Sequence, residues 1–161
     1  MTSVAVTPNQ DALISEIHVA APPERVFQAL IDQKQVMHWW TSEACRIEAF
    51  SLEPCQGGRW TYDSRSSSLT VNGVNKFHCD GEILEYDPPR VLSYTWIANW
   101  HDRPAQKTVV RWELATSKGG TLVRVTHSGL AELPIARQDY AGGWPGVLEQ
   151  LKNFVESVSS K

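Results

Sequence analysis

The stretch from Trp144 to Val158, W-P-G-V-L-E-Q-L-K-N-F-V-E-S-V, restricts the possible folds more than any other part of the chain. Trp144, Val147, Leu148, Leu151, Phe154, Val155 and Val158 recur at the three-and-four spacing of a helix with one apolar face, while Glu149, Gln150, Lys152, Asn153 and Glu156 take the other. An apolar face of this kind must be buried, so the rest of the chain has to supply a surface for it. Residues 45–128 have that character: they alternate with period two and are punctuated by Gly, Pro and Asn, as antiparallel strands are. The pattern predicts an α+β fold in which a curved antiparallel sheet of six to seven strands wraps around one long C-terminal helix.

Two short helices are expected after the first strand. Leu13 to Val19 alternates as a strand, then Ala21-Pro22-Pro23-Glu24 breaks it and opens a helix with Val26, Phe27 and Leu30 as its buried stripe. A second helix runs from Gln33 to the pair Trp39-Trp40. Neighbours on a helix point about 100° apart, so at most one of these rings is expected to face fully inward, with the other spare or covering an opening. Ser64 to Gly73, containing S-R-S-S-S, reads as a polar hairpin connection and the most mobile loop. Pro145 deletes a backbone donor, which places the start of the regular terminal helix there, with any earlier turn over 136–141 kinked against it. Gly142 and Gly143 are expected to let the chain pass close to the sheet.

A chain of 161 residues suits one domain, 1–161, with residues 1–11 as a loose N-terminal arm. Fifteen basic and eighteen acidic residues are interspersed, giving a net charge of -3 and no footprint for nucleic acid or an anionic membrane. No apolar run approaches the roughly 20 residues that span a bilayer. Cys45, Cys55 and Cys79 are odd in number and irregularly spaced, which points to reduced thiols and a cytoplasmic protein. No metal is expected, since His18, His38, His78, His101 and His127 show no ligand spacing with each other or with the cysteines. No cofactor is expected either, because neither Gly57-Gly58 nor Gly119-Gly120 opens a phosphate loop.

The seven tryptophans are the unusual feature of the composition. Burying each removes about 200 Å² from water, worth up to ~5 kcal/mol, so these rings either fill a core or line a cavity. Trp60, Tyr62, Trp96, Trp112 and Trp144 have inward positions. Together with Trp40, Tyr94, Val110, His127, Leu148 and Leu151 they form the expected ligand-binding set between sheet and helix. His127 shares its face with Val123 and Val125, either as a general base or donor to a ligand, or as a core histidine bonded to a neighbour. Its expected polar company is Tyr62, Tyr94, or the strand carrying His78 and Asp80.

Several strings together resemble a known group: A-P-P-E-R-V-F-Q-A-L-I-D followed by W-W, then G-G-R-W-T-Y, G-E-I-L-E-Y-D-P-P-R-V-L-S-Y-T-W, G-G-T-L-V-R-V-T-H-S-G-L and G-G-W-P-G-V-L-E-Q-L. From about Ile14 to Val158 the chain resembles the homologues of the heat-shock-protein-90 ATPase activator, within the START-like (SRPBCC) helix-grip superfamily. That resemblance implies a seven-stranded sheet gripping the last helix over a deep hydrophobic cavity. It also implies relatives that bind lipids, steroids, polyketides or plant hormones, or that cyclise and dehydrate them.

Three functions follow as expectations. The first is binding of a small hydrophobic or aromatic molecule in the cavity, by a monomer or homodimer. The second is an enzyme of the cyclase, dehydratase or hydrolase type, with His127 as base and Tyr62 or Asp80 assisting. The third is a partner-binding role toward a chaperone or a second copy, through an exposed Trp40 or Trp100.

Overall fold

A computed structural model describes residues 3–159. Its elements in order are β1 (Ser3–Val6), β2 (Leu13–Val19), α1 (Pro23–Ile31), α2 (Gln33–Trp39), β3 (Arg46–Leu52), β4 (Arg59–Arg65), β5 (Lys76–Asp87), β6 (Val91–Ala98), β7 (Thr108–Ser117), β8 (Gly120–Ser128) and α3 (Pro134–Ser159). The eight strands form one antiparallel sheet in the order β1-β2-β8-β7-β6-β5-β4-β3. The alternation read from the sequence becomes rows of side chains across it. Leu13, His127, Val110, Tyr94 and Ile83 stand opposite one another on five successive strands, and all five are buried. Among the described residues no helix is long and apolar enough to cross a membrane.

The expected loose arm is corrected at residues 3–6, which pair with β2 as an added edge strand from Ser3↔Glu16 to Val6↔Leu13. Pairing of the backbone, rather than burial, holds this strand, since Val4 and Val6 stay exposed. Close backbone approach is also visible inside the sheet at Gly81. A Cβ there would collide with the carbonyl oxygen of Thr95, and that oxygen accepts the Trp60 indole N–H at 2.8 Å.

α1 and α2 share Asp32, which closes the first helix and caps the second by accepting from the Lys34 N–H at 3.0 Å. The expectation that only one of Trp39 and Trp40 faces inward is corrected here. Both are buried and stacked at 5.3 Å, because Trp40 is the C-cap with φ -88 and ψ 57 and so leaves the helical spacing that would have turned it outward.

The last helix differs most from its expected course. α3 starts at Pro134 and continues through Pro145. Leu133, Ala136, Tyr140, Trp144, Leu148, Leu151 and Val155, at steps of three and four, are all buried, so one apolar stripe carries the helix across the proline. Burial on that scale outweighs the roughly 3 kcal/mol cost of an interior proline. Val147 and Phe154 are half-buried at the stripe's margin, and the side chain of Val158 lies outside the described residues. At the start of the helix Asp102, from the β6–β7 connection, accepts from the Ile135 and Ala136 N–H groups at 3.1 and 2.9 Å. At the far end Lys152 Nζ donates to the His18 carbonyl and Glu156 accepts from the Ala20 N–H, each at 2.8 Å. The closeness expected at Gly142 and Gly143 is absent, since a Cβ at either would meet nothing within 4 Å.

Candidate functional site

Aromatic rings from both layers meet under the first half of α3, and their polar atoms are tied to specific partners. Thr108 Oγ1 has one proton, which it gives to the Trp96 carbonyl at 2.8 Å, so at 2.8 Å it accepts from Nε2–H of His127. The Trp144 indole can only donate, and it does so to Nδ1 of the same ring at 3.2 Å. His127 is therefore a neutral imidazole with both nitrogens engaged. Burial, with His101 nearby, pushes its pKa well below the usual histidine value. A second node is the Tyr140 hydroxyl, which accepts the Trp96 indole N–H at 2.8 Å and bonds Nε2 of His101 at 2.7 Å. The Trp100 indole N–H is buried close to this hydroxyl and, among the described residues, finds no partner in good hydrogen-bond geometry.

Beside these nodes a cavity of about 170 Å³ opens toward the surface. Its floor is Tyr62 and Ser64 of β4, Phe77 of β5 and Trp96 of β6, and Trp40, Cys45 and Trp100 close its flanks. Its roof is Asp139, Tyr140, Gly143, Trp144 and Val147 of α3. Leu69 and Val71 reach in from the β4–β5 connection, which is tied down by Ser66 accepting from the Leu69 N–H and by Asn72 donating to the Trp100 carbonyl, both at 2.8 Å. The Asp139 carboxylate is half-buried at this wall, and among the described residues no hydrogen bond or ion pair reaches it. Burial pushes its pKa up.

Of the residues singled out in the sequence, Trp40, Tyr62, Trp96 and Trp144 border the cavity. Trp60, Tyr94, Val110, Trp112, His127, Leu148 and Leu151 are packed in the core outside it, with the Trp112 indole donating to the Tyr94 hydroxyl at 2.9 Å. The convergence required of a His127 base with Tyr62 or Asp80 is not present. Tyr62 is at the cavity, His127 is held by Thr108 and Trp144, and Asp80 lies on the outer face bonded to His78 at 2.7 Å. The exposed aromatics expected of a partner surface are corrected as well, since Trp40 and Trp100 are 8% and 6% exposed. Sequence reasoning missed Tyr140, Asp139 and the residues of the β4–β5 connection. Tyr140 could have been found, because it precedes Trp144 by four and extends the same stripe. Among the described residues no group of three or more His, Cys, Asp or Glu side chains is placed to hold a metal ion.

Residues 20–156 match the family described as Activator of Hsp90 ATPase homolog 1-like protein. The chain belongs to this family. Solved structures with the same fold include an Activator of Hsp90 ATPase homolog 1-like protein of Aeromonas hydrophila, 22% identical, with a TM-score of 0.72 over 93% of this chain and 95% of that one. A protein of Rhodobacter sphaeroides is 17% identical, with a TM-score of 0.77 over 99% of both chains. One from Chromobacterium violaceum is 24% identical, with a TM-score of 0.72 over 91% of this chain and 98% of that one. At these identities the likeness concerns the fold, and the family's helix-grip architecture is what this chain shares with them. No curated protein matches the sequence.

Proposed function

We propose that this protein binds a small, largely apolar molecule of about one ring in the cavity between β4–β6 and the first half of α3. The observation that carries the reading is the cavity itself, about 170 Å³ with walls almost wholly aromatic and aliphatic. A sealed apolar cavity of about 150 Å³ is known to take up benzene, so this open pocket, of similar volume and largely apolar lining, has room for one ring. It is smaller than the 300–1,000 Å³ typical of drug-sized ligand sites, which argues for a compact ligand rather than a sterol or a long acyl chain. The polar nodes at His127 and Tyr140 hold the indoles that form the wall, which supports a binding role for them rather than a chemical one. Three unpaired thiols, Cys45, Cys55 and Cys79, are compatible with a cytoplasmic setting.

The test is a titration of the whole protein with one-ring and two-ring apolar compounds, read by native mass spectrometry and tryptophan fluorescence. Saturable 1:1 adducts with one-ring compounds, with quenching lost in Trp96→Phe or Trp144→Phe, are the expected result. Absence of any adduct across the set refutes the reading.

A further inference from the structure

The cavity has a distinctive charge pattern. Among its described lining residues none is Lys, Arg or His, and the one carboxylate is Asp139. That carboxylate is half-buried, and among the described residues no hydrogen bond or ion pair reaches it, so a partner for its charge has to come from solvent or from a ligand. Four indoles, of Trp40, Trp96, Trp100 and Trp144, stand around the same space, and indole is the side chain whose ring face attracts cations best. One turn after Asp139, Gly143 has no side chain and nothing within 4 Å of where its Cβ would be, so the approach to the carboxylate from the cavity is not covered by its own helix.

We infer that the ligand of this pocket is a small organic cation, a one-ring or short branched alkyl- or arylammonium whose apolar body lies among the indoles and whose nitrogen faces Asp139. This deepens the binding reading and rests on it. An ammonium group supplies the donors and the positive charge the carboxylate lacks, in surroundings where low polarity strengthens their attraction. The same surroundings reject an anion, because a ligand carboxylate or phosphate would meet Asp139 and the negative ring faces with no cation to offset them. Fatty acids and phosphorylated metabolites are thus poor fits for this pocket, and compact amines are good ones.

The experiment compares three ligands of nearly one shape, benzylamine, benzyl alcohol and benzoate, by calorimetric titration of the whole protein at neutral pH. The expected ranking is benzylammonium about tenfold or more tighter than benzyl alcohol, with no saturable binding of benzoate. In Asp139→Asn the affinity for the amine is expected to fall to within about threefold of that for the alcohol. Equal or tighter binding of the alcohol or of benzoate overturns the inference while leaving the apolar-ligand reading in place, and so does a preference for the amine that survives Asp139→Asn. Failure of all three to bind a protein that does take up uncharged rings also overturns it, whereas failure of the uncharged rings sinks the underlying reading. If Asp139→Asn does not fold, Asp139→Ser takes its place, with the same loss of the amine's advantage expected and the same survival of it overturning the inference.

Discussion

The Trp144 indole on α3 donates to Nδ1 of His127 on β8 at 3.2 Å, so the helix holds the sheet's one inward histidine in its neutral form. Protonating Nδ1 would set two donors against each other in a buried site.

Two consequences can be measured. His127→Ala removes partners from both Trp144 and Thr108 and leaves a void, so it should destabilise by about 3 kcal/mol in urea unfolding. Its pH dependence follows from the neutral form. Burial lowers the pKa of His127 well below the usual value and that of His101 to about 4, while the unfolded chain binds a proton on each below about pH 6.5. Their stabilisation is present above pH 6.5 and is lost as pH falls, at up to about 1.4 kcal/mol per pH unit for each ring. Urea midpoints that stay constant from pH 7 to 5 in the wild type would contradict this.

Asp102 carries the start of α3, and with it Asp139 and Tyr140 of the pocket. Asp102→Ala should destabilise by about 1 kcal/mol, with Asp102→Asn costing less because it can still accept. Partial burial works upward on this carboxyl, but the N–H groups of Ala136 and Ile135 outweigh it, so the pKa is lowered. Its contribution is therefore present above the ordinary carboxylate range and is lost as pH falls through the lowered value. Hydrogen exchange at 135–141 should accelerate in Asp102→Ala before it does at Leu148 or Leu151.

How far these features could be read in advance depended on the range of the interactions behind them. Leu148, Leu151 and Val155 declare a buried helix face by spacing alone, and Thr108, Val110 and Trp112 declare an inward strand face, because both periods are local. Pro145 misled the reading because its local cost is certain, whereas the compensating burial of Ala136 and Tyr140 depends on the sheet beneath. The inward position of His127 follows from alternation, but its partners follow from the β7–β8 register, Val110↔His127, which brings Thr108 within reach and which no local pattern fixes. The cavity was least legible. It is the space left over by side chains from β4, β5, β6, α3 and the β4–β5 connection, and seven of the eleven residues assigned to it pack solidly elsewhere.

The outer face holds a histidine of the opposite kind. His78 lies between Asp63 and Asp80, each at 2.7 Å from one ring nitrogen. Partial burial works downward on its pKa, but the hydrogen bonds and charges of the two carboxylates outweigh it and raise the value. The stabilisation from this clasp is fully present below about pH 6.5 and is lost as pH rises through the raised value. With the ring 43% exposed, solvent screening keeps the contribution below about 1 kcal/mol. In an NMR titration His78 should have a pKa above 6.5, returning toward it when Asp63 and Asp80 are both changed to Asn. A value at or below 6.5 in the wild type would show that the carboxylates do not hold the proton.

The glycines of α3 separate stability from binding. Gly142 and Gly143 sit within the helix, and a methyl group added at either would have nothing within 4 Å, so neither glycine is required by close packing. Glycine costs a helix interior about 0.5–1 kcal/mol relative to alanine, and either Gly142→Ala or Gly143→Ala should therefore raise stability by about that much in thermal or urea unfolding. Only Gly143 borders the cavity. Gly142→Ala should thus leave affinity for a one-ring amine as it was, whereas Gly143→Ala should gain the same stability and weaken binding by narrowing the space beside Asp139 and Trp144. If both substitutions stabilise and neither alters affinity, the ligand does not lie under this turn of the helix, and the pocket must be sought elsewhere on the fold.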